Sequence, residues 1–179
     1  GKKGGHSQDG QVADRLSSMP RVLMVSGTGS CCFGQTWDGQ TAKVGGWGHL
    51  LGDKGSGYEI GLRALKAAVY YYDRDGKWSG LGQRLLRALP LNEPNDLIGW
   101  VQKASKKDIA RLTLEVFKAW TQRDRIAADI LAAAAASLAR DGAACAARLA
   151  GPGAPVQFVL AGSVLRRQPR FARRVGLEL

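Results

Sequence analysis

The sequence predicts an α/β fold with a long helical insertion, and two features support this prediction. Short apolar runs typical of buried strands occur at residues 22–25 and again at residues 156–160. Most of the chain between residues 56 and 150 instead has its apolar residues at helical spacing, without an internal repeat. A chain of 179 residues is long enough to bury these elements in one compact unit.

The first strand leads into a predicted hairpin. Residues 22–25 run into the sequence Ser-Gly-Thr-Gly-Ser, which is typical of a tight turn between strands. Residues 31–37 and 40–44 then flank Asp38-Gly39. Because Asp-Gly is a strong signal for a two-residue turn with positive φ, we expect these two segments to pair directly.

Capping residues predict where the helices begin. Ser56 and Glu59 have the spacing of a capping box, and the helix that they start extends to the turn sequence Asp73-Arg-Asp-Gly. Short helical pieces follow, which Pro90 and Pro94 interrupt.

Two further helices are predicted in the second half of the chain. Ser105 and Asp108 mark the start of one helix, whose apolar face extends to residue 120. An Ala-rich helix occupies residues 124–150, and Gly142 is a point where it could bend or split. The strand at residues 156–160 and an Arg-rich helical segment come after it.

The charge balance makes an anionic partner worth considering. Lys and Arg total 26 against 15 acidic residues, which gives a formal net charge of +11. A solvated basic face is the simpler interpretation. The absence of a nucleic-acid motif, or of interleaved aromatic and basic residues, argues against a nucleic-acid partner.

Composition also indicates the compartment. Cys31, Cys32 and Cys145 form neither a disulfide framework nor a familiar zinc spacing, which fits a reducing, cytoplasmic setting. No uninterrupted apolar stretch approaches the length of a membrane span, and the first twenty residues lack a signal-peptide core. We therefore predict no membrane partner.

The glycine-rich stretch between residues 25 and 56 contains the candidate binding residues. In the turn at residues 27–30, Gly27 and Gly29 leave backbone amides free to approach a phosphate, although such turns often only join strands. Trp47 and Asp53 suit a sugar, because an indole covers its apolar face and a carboxylate accepts from its hydroxyls. The structural alternative is that Trp47 fills the core and Asp53 caps a turn. We expect His49 to be a packed histidine.

These residues resemble a known family. The order of SGTGS, a hairpin and GGWGHLLGDKGSGYEIGLRALKA resembles the second half of the BadF/BadG/BcrA/BcrD ATPase family, in particular its N-acetylglucosamine kinases. VQFVLAGSVLRRQPRF is similar to the family's adenosine motif. The resemblance implies a ribonuclease H-like (actin-like ATPase) lobe at residues 21–179, truncated at its C-terminus. Residues 1–20 are then a polar leader or a remnant of the region between the lobes.

The resemblance also implies roles for single residues. It makes Gly27, Thr28, Gly29 and Ser30 a phosphate-binding turn for ATP, with Mg²⁺ bridging the phosphates. It makes Gly46, Trp47 and Asp53 sugar-binding. It makes Ala161, Gly162 and Ser163 nucleotide-binding. Asp9 is the candidate catalytic base, with Asp14 as a competing choice.

The implied function is ATP-dependent phosphorylation of an N-acetylglucosamine-type or N-acetylmuramic acid-type amino sugar, with this chain supplying the second lobe. Lys54 and Ser163 depart from the family pattern, and the first phosphate loop is not found. A missing N-terminal lobe, a fused etherase domain and a homodimer are the other implied partners. Two alternatives remain: a non-catalytic module that senses amino sugars, and an ATPase that activates a partner through an iron–sulfur cluster, for which Cys31-Cys32 lacks the expected arrangement.

Overall fold

The computed structural model describes residues 18–89, 91–93 and 95–179. The candidate base Asp9 lies outside the described residues, as does its competitor Asp14. The strands are β1 (Arg21–Ser26), β2 (Ser30–Gln35), β3 (Thr41–Gly45) and β4 (Gln157–Ala161). They form a four-stranded sheet in the order β3-β2-β1-β4.

The direction of the strands determines which turns meet. Strands β1, β2 and β3 are consecutive and antiparallel, whereas β4 returns parallel to β1 after the helical part of the chain. Val25 near the end of β1 is paired with Ala161 at the end of β4. The turns that follow β1 and β4 therefore lie at the same edge of the sheet, where parallel strands of such folds commonly bind ligands.

The hairpin between β2 and β3 forms, but its turn is wider than predicted. Thr36 N donates to Gln40 O and Gly39 N donates to Thr36 O, so the strands are separated by residues 36–40. Of the two expected turn residues only Gly39 has a positive φ, of +89°. The prediction of a two-residue turn is wrong, because hydrogen bonds from the Thr36 hydroxyl to Asp38 and from Gln40 N to that hydroxyl stabilise the wider turn.

Nine helices are assigned within the described residues. They are α1 (Gly48–Leu51), α2 (Gly57–Asp75), α3 (Gly80–Ala88), α4 (Asp96–Lys103), α5 (Lys106–Arg111), α6 (Thr113–Thr121), α7 (Arg125–Ala147), α8 (Ser163–Arg167) and α9 (Pro169–Leu177). Helix α2 ends as expected, since Gly76 adopts the left-handed conformation that terminates many helices.

Tertiary contacts explain why two helices differ in continuity from the prediction. The helix predicted from residue 105 to residue 120 is divided at Leu112, because the Thr113 hydroxyl donates a 2.6 Å hydrogen bond to Gly57 O. Gly142 does not split α7. A Cβ at Gly142 would lie 2.7 Å from Met24 Sδ, so this glycine allows the helix to approach β1 closely.

The two predicted capping boxes form to different extents. Ser105 and Asp108 make a complete box at the start of α5. At α2 the Ser56 hydroxyl accepts from Glu59 N at 3.2 Å, but the Glu59 carboxylate accepts from Gly55 N instead of from Ser56 N. Ser56 N donates to Asp53 O, so the second half of that box is replaced by a turn hydrogen bond.

Helix α7 forms the centre of the core. It packs against β1, β2 and β3 on one side and against α2, α6 and α9 on the others. Among the described residues it is the one helix with the length and apolarity of a membrane span, and half (50%) of its most apolar stretch is buried inside the fold. Small alanine side chains let neighbouring elements approach it closely, which explains the Ala-rich sequence.

Candidate functional site

The turn between β1 and β2 is fixed to the start of α2. Gly27 O accepts a 2.7 Å hydrogen bond from Gly57 N, and Thr28 O accepts from Tyr58 N at 3.3 Å. Within the turn, Gly27 N donates to Gly29 O. Thr28 is exposed at its tip. The predicted phosphate turn is therefore a defined structure whose carbonyls are already paired.

The turn between β4 and α8 packs directly on the end of β1. Gly162 has a φ of +89°, and a Cβ there would lie 2.3 Å from Ser26 O. Ser163 is the first residue of α8, and its hydroxyl lies 3.5 Å from the position that a Cβ on Gly27 would take. Only glycine fits at residue 162, whereas Ser163 has a helical position that accepts its side chain.

These two turns, with α5 and α6, enclose a cleft of about 310 Å³. This volume lies at the lower end of the usual range for small-molecule sites. Its walls include the apolar side chains of Leu114 and Phe117. Three cations, from Lys107, Arg111 and Arg167, also line it, and no carboxylate does so among the described residues. The cleft combines an apolar wall with positive charge, which suits an organic anion.

None of these three cations was predicted from the sequence as a binding residue. Lys107 and Arg111 are four residues apart, so they lie on one face of α5, and that spacing was the available signal. Arg167 follows the turn at residues 161–163 by one helical turn. No local pattern indicates that the two helices face the same cleft, because that depends on the tertiary fold.

Asp53 lies against the turn after β1. Its Oδ1 accepts a 2.9 Å hydrogen bond from Ser30 N, and its Oδ2 lies 2.5 Å from Lys106 Nζ. The residue is 4% exposed and has a φ of +58°. A Cβ at Gly29 would lie 2.8 Å from Oδ1. The carboxylate is therefore beside the predicted phosphate turn. It also stabilises that turn through the hydrogen bond from Ser30 N, which agrees with the alternative that Asp53 caps a turn.

Trp47 does not fill the core. It is 74% exposed and directly precedes α1, where Leu50 and Leu51 are 84% and 81% exposed. Gly46, with a φ of +71°, donates its N–H to Ser30 O at 3.2 Å. The alternative that Trp47 is a core residue is wrong, and its indole is available to a ligand.

His49 and the cysteines differ in burial. The His49 ring makes an edge-to-face contact with Tyr58, with centroids 4.9 Å apart, but the residue is exposed, so the prediction of a packed histidine is not confirmed. Cys32 is buried and Cys31 half-buried, and burial is the main cause that raises the pKa of Cys32 to about 12. In the part of the chain that the structure describes, no three His, Cys, Asp or Glu side chains form a metal-binding group.

A sheet of three antiparallel strands extended by a parallel fourth, with a cleft where β1 and β4 end, defines a lobe of the ribonuclease H-like, actin-like ATPase class. The chain belongs to the BadF/BadG/BcrA/BcrD ATPase family, whose model matches residues 7–173. The predicted fold class and family are thereby confirmed.

Two curated proteins that are similar to this chain are described as amino-sugar kinases. The chain is 39% identical over 129 residues to the N-acetylmuramic acid/N-acetylglucosamine kinase of Clostridium acetobutylicum, with 71% of this chain and 42% of that protein covered. It is 37% identical over 120 residues to the N-acetyl-D-glucosamine kinase of Dictyostelium discoideum, with 65% and 38% covered. The chain thus spans about two fifths of the length of these curated relatives.

Solved structures show the same fold. A candidate N-acetylglucosamine kinase from Chromobacterium violaceum superposes with a TM-score of 0.68 at 25% identity, over 93% of this chain and 56% of that one. A second candidate N-acetylglucosamine kinase, from Porphyromonas gingivalis, has a TM-score of 0.66 at 19% identity, over 89% and 53%. At 19% identity, the second comparison supports the fold alone.

Proposed function

We propose that this chain is part of an ATP-dependent kinase that phosphorylates an amino sugar of the N-acetylglucosamine or N-acetylmuramic acid type, and that it supplies the second lobe. The main support is the cleft where the turns after β1 and β4 meet beside three cations. Similarity to two curated kinases of these sugars supports the substrate class.

On the nucleotide side, the turn at residues 27–30 binds the β- and γ-phosphates, and residues 161–163 hold the adenosine. Thr28 and Ser163 add hydroxyl donors on the two sides of the cleft. Lys107 and Arg111 offset the negative charge of the nucleotide. Mg²⁺ bound together with the nucleotide would supply further charge stabilisation, and such ions need few protein ligands.

On the sugar side, Gly46, Trp47 and Asp53 form the proposed binding loop. The exposed indole of Trp47 suits the C–H face of a pyranose, and the Asp53 carboxylate accepts hydrogen bonds from hydroxyls. Asp9 stays the predicted base that takes a proton from the acceptor hydroxyl.

The proposed test compares two exposed tryptophans. Trp47→Ala removes the predicted sugar platform, and Trp37→Ala, at 77% exposure in the hairpin turn, is the matched control. We expect Trp47→Ala to weaken N-acetylglucosamine binding about tenfold, or about 1.4 kcal/mol, in a calorimetric titration. Trp37→Ala should bind N-acetylglucosamine as tightly as the native protein does. Neither substitution should change the ATP affinity, because neither exposed ring is part of the core.

Enzyme-coupled detection of ADP completes the test. Sugar-dependent ADP release supports the kinase. Sugar binding without ADP release supports the sensing module instead. If the native protein does not bind the sugar, the proposal is wrong. A cytoplasmic location, a homodimer, and association with a first lobe or a fused etherase domain are parts of the same proposal, and chromatography with light scattering tests the dimer.

A further inference from the structure

Lys106 reaches the turn after β1 from a distant part of the chain. It is the first residue of α5, and its Nζ lies 2.5 Å from Asp53 Oδ2, across 53 sequence positions. The complete capping box of Ser105 and Asp108 fixes the backbone from which this side chain extends. The ion pair therefore ties the start of α5 to the glycine-rich loop.

The two members of this pair differ in exposure. The Asp53 side chain is 5% exposed and the Lys106 side chain is 32% exposed. The other carboxylate oxygen of Asp53 accepts from Ser30 N, and the backbone of Gly29 packs against the same group. Solvent therefore reaches this pair mainly at the ammonium group.

A buried carboxylate needs partners that balance its charge. A carboxylate has about four acceptor positions, and the hydrogen bonds from Ser30 N and Lys106 Nζ use two of those of Asp53. Lys106 and Ser30 N together hold the Asp53 carboxylate in one orientation, with acceptor positions that neither hydrogen bond uses. Without Lys106, the carboxylate would lose its one recorded cationic partner among the described residues.

We propose that Lys106 is a positioning residue of the amino-sugar site, which holds the Asp53 carboxylate in the orientation that accepts sugar hydroxyls. This inference rests on the proposed function, since it takes Asp53 as a sugar-binding residue. The next residue, Lys107, lines the cleft instead. Adjacent lysines therefore serve different ligands, with Lys106 on the sugar side and Lys107 on the nucleotide side.

The neighbouring lysine gives a matched control. We expect Lys106→Met to weaken N-acetylglucosamine binding at least tenfold in calorimetric titrations and to change the ATP dissociation constant less than twofold. Lys106→Arg, which keeps the charge, should recover most of the sugar affinity. Lys107→Met should weaken ATP binding and leave the affinity for N-acetylglucosamine nearly unchanged. It removes a cation from the cleft, whereas the ion pair of Asp53 with Lys106 stays in place.

Two results would overturn the assignment while leaving the proposed function intact. One is native-like sugar affinity in Lys106→Met. The other is an equal loss of sugar and ATP affinity, which would indicate a general effect on the fold. If the native protein binds no sugar, the proposed function fails, and this assignment fails with it.

A double variant keeps the test decisive if Lys106→Met does not fold. Asp53→Asn combined with Lys106→Met leaves no buried charge without a partner, so the double variant should fold. If Lys106 acts through Asp53, the double variant should bind sugar no more weakly than Asp53→Asn alone. Weaker binding than that of Asp53→Asn would mean that Lys106 acts on the sugar directly, and would overturn the positioning role.

Discussion

Gly162 is the residue that brings the two turns of the cleft together. Its φ is +89°, and a Cβ would meet the Ser26 carbonyl oxygen at 2.3 Å and the Ser26 carbonyl carbon at 2.5 Å. We expect Gly162→Ala to lower the free energy of unfolding by about 3 kcal/mol, since both backbone strain and overpacking contribute. The melting temperature, measured by circular dichroism, should fall by roughly 6–12 °C.

Gly99→Ala is the control for this substitution. Gly99 lies inside α4 with no heavy atom within 4 Å of the added Cβ. Alanine should be neutral there, or stabilise the protein by up to about 1 kcal/mol, because it is the better helix former. A melting temperature of Gly162→Ala equal to that of the native protein would contradict the close packing on β1.

Single residues also show why local patterns predict a site only in part. The sequence singled out Asp53 because a carboxylate beside glycines and an indole suits a sugar. Its partner Lys106 was not predicted, because a contact across 53 positions leaves no periodic or local signal. Trp47 shows the converse limit, since a tryptophan in a glycine-rich loop has no local feature that tells an exposed ring from a core one.

The start of helix α7 is stabilised by the residue before it, Asp124. Asp124 is the N-cap, and its Oδ1 accepts a 2.9 Å hydrogen bond from Ala127 N. Asp124→Ala should lower the free energy of unfolding by about 1 kcal/mol, which lowers the melting temperature by roughly 2–4 °C. Asp124→Asn keeps an acceptor and should stay within a few tenths of a kcal/mol. Equal losses in both variants would assign the effect to charge instead of capping.

Helices and strands were predicted best where their ends are determined locally. Ser56, Ser105 and Asp124 all cap helices, because a hydroxyl or carboxylate at that position pairs an orphan amide regardless of the rest of the fold. The break at Leu112 was not predictable, because it follows the contact between Thr113 and Gly57. The hairpin turn was predicted in place but not in type.

The positive charge of the cleft predicts how ligand affinity depends on salt concentration. Lys107, Arg111 and Arg167 give the cleft a positive charge, and dissolved salt screens its attraction for an anion. Under the proposed function, the ATP dissociation constant should rise severalfold between about 0.1 M and 1 M salt, over which the Debye length falls from about 10 Å to about 3 Å. N-acetylglucosamine is uncharged, so its affinity should hardly change. Equal salt dependence for both ligands would contradict the prediction that the three cations act on the nucleotide and not on the sugar.

The order of the chain has a consequence for how the cleft is assembled. Its two turns are separated by almost the full length of the described chain, because β4 joins β1 only after the helices α1–α7. Contacts between such distant segments form slowly, since a long loop must close first. During synthesis, β1–β3 and α1–α7 are made before β4. The cleft is therefore completed only when β4 and α8 have joined β1, after most of the chain has been made.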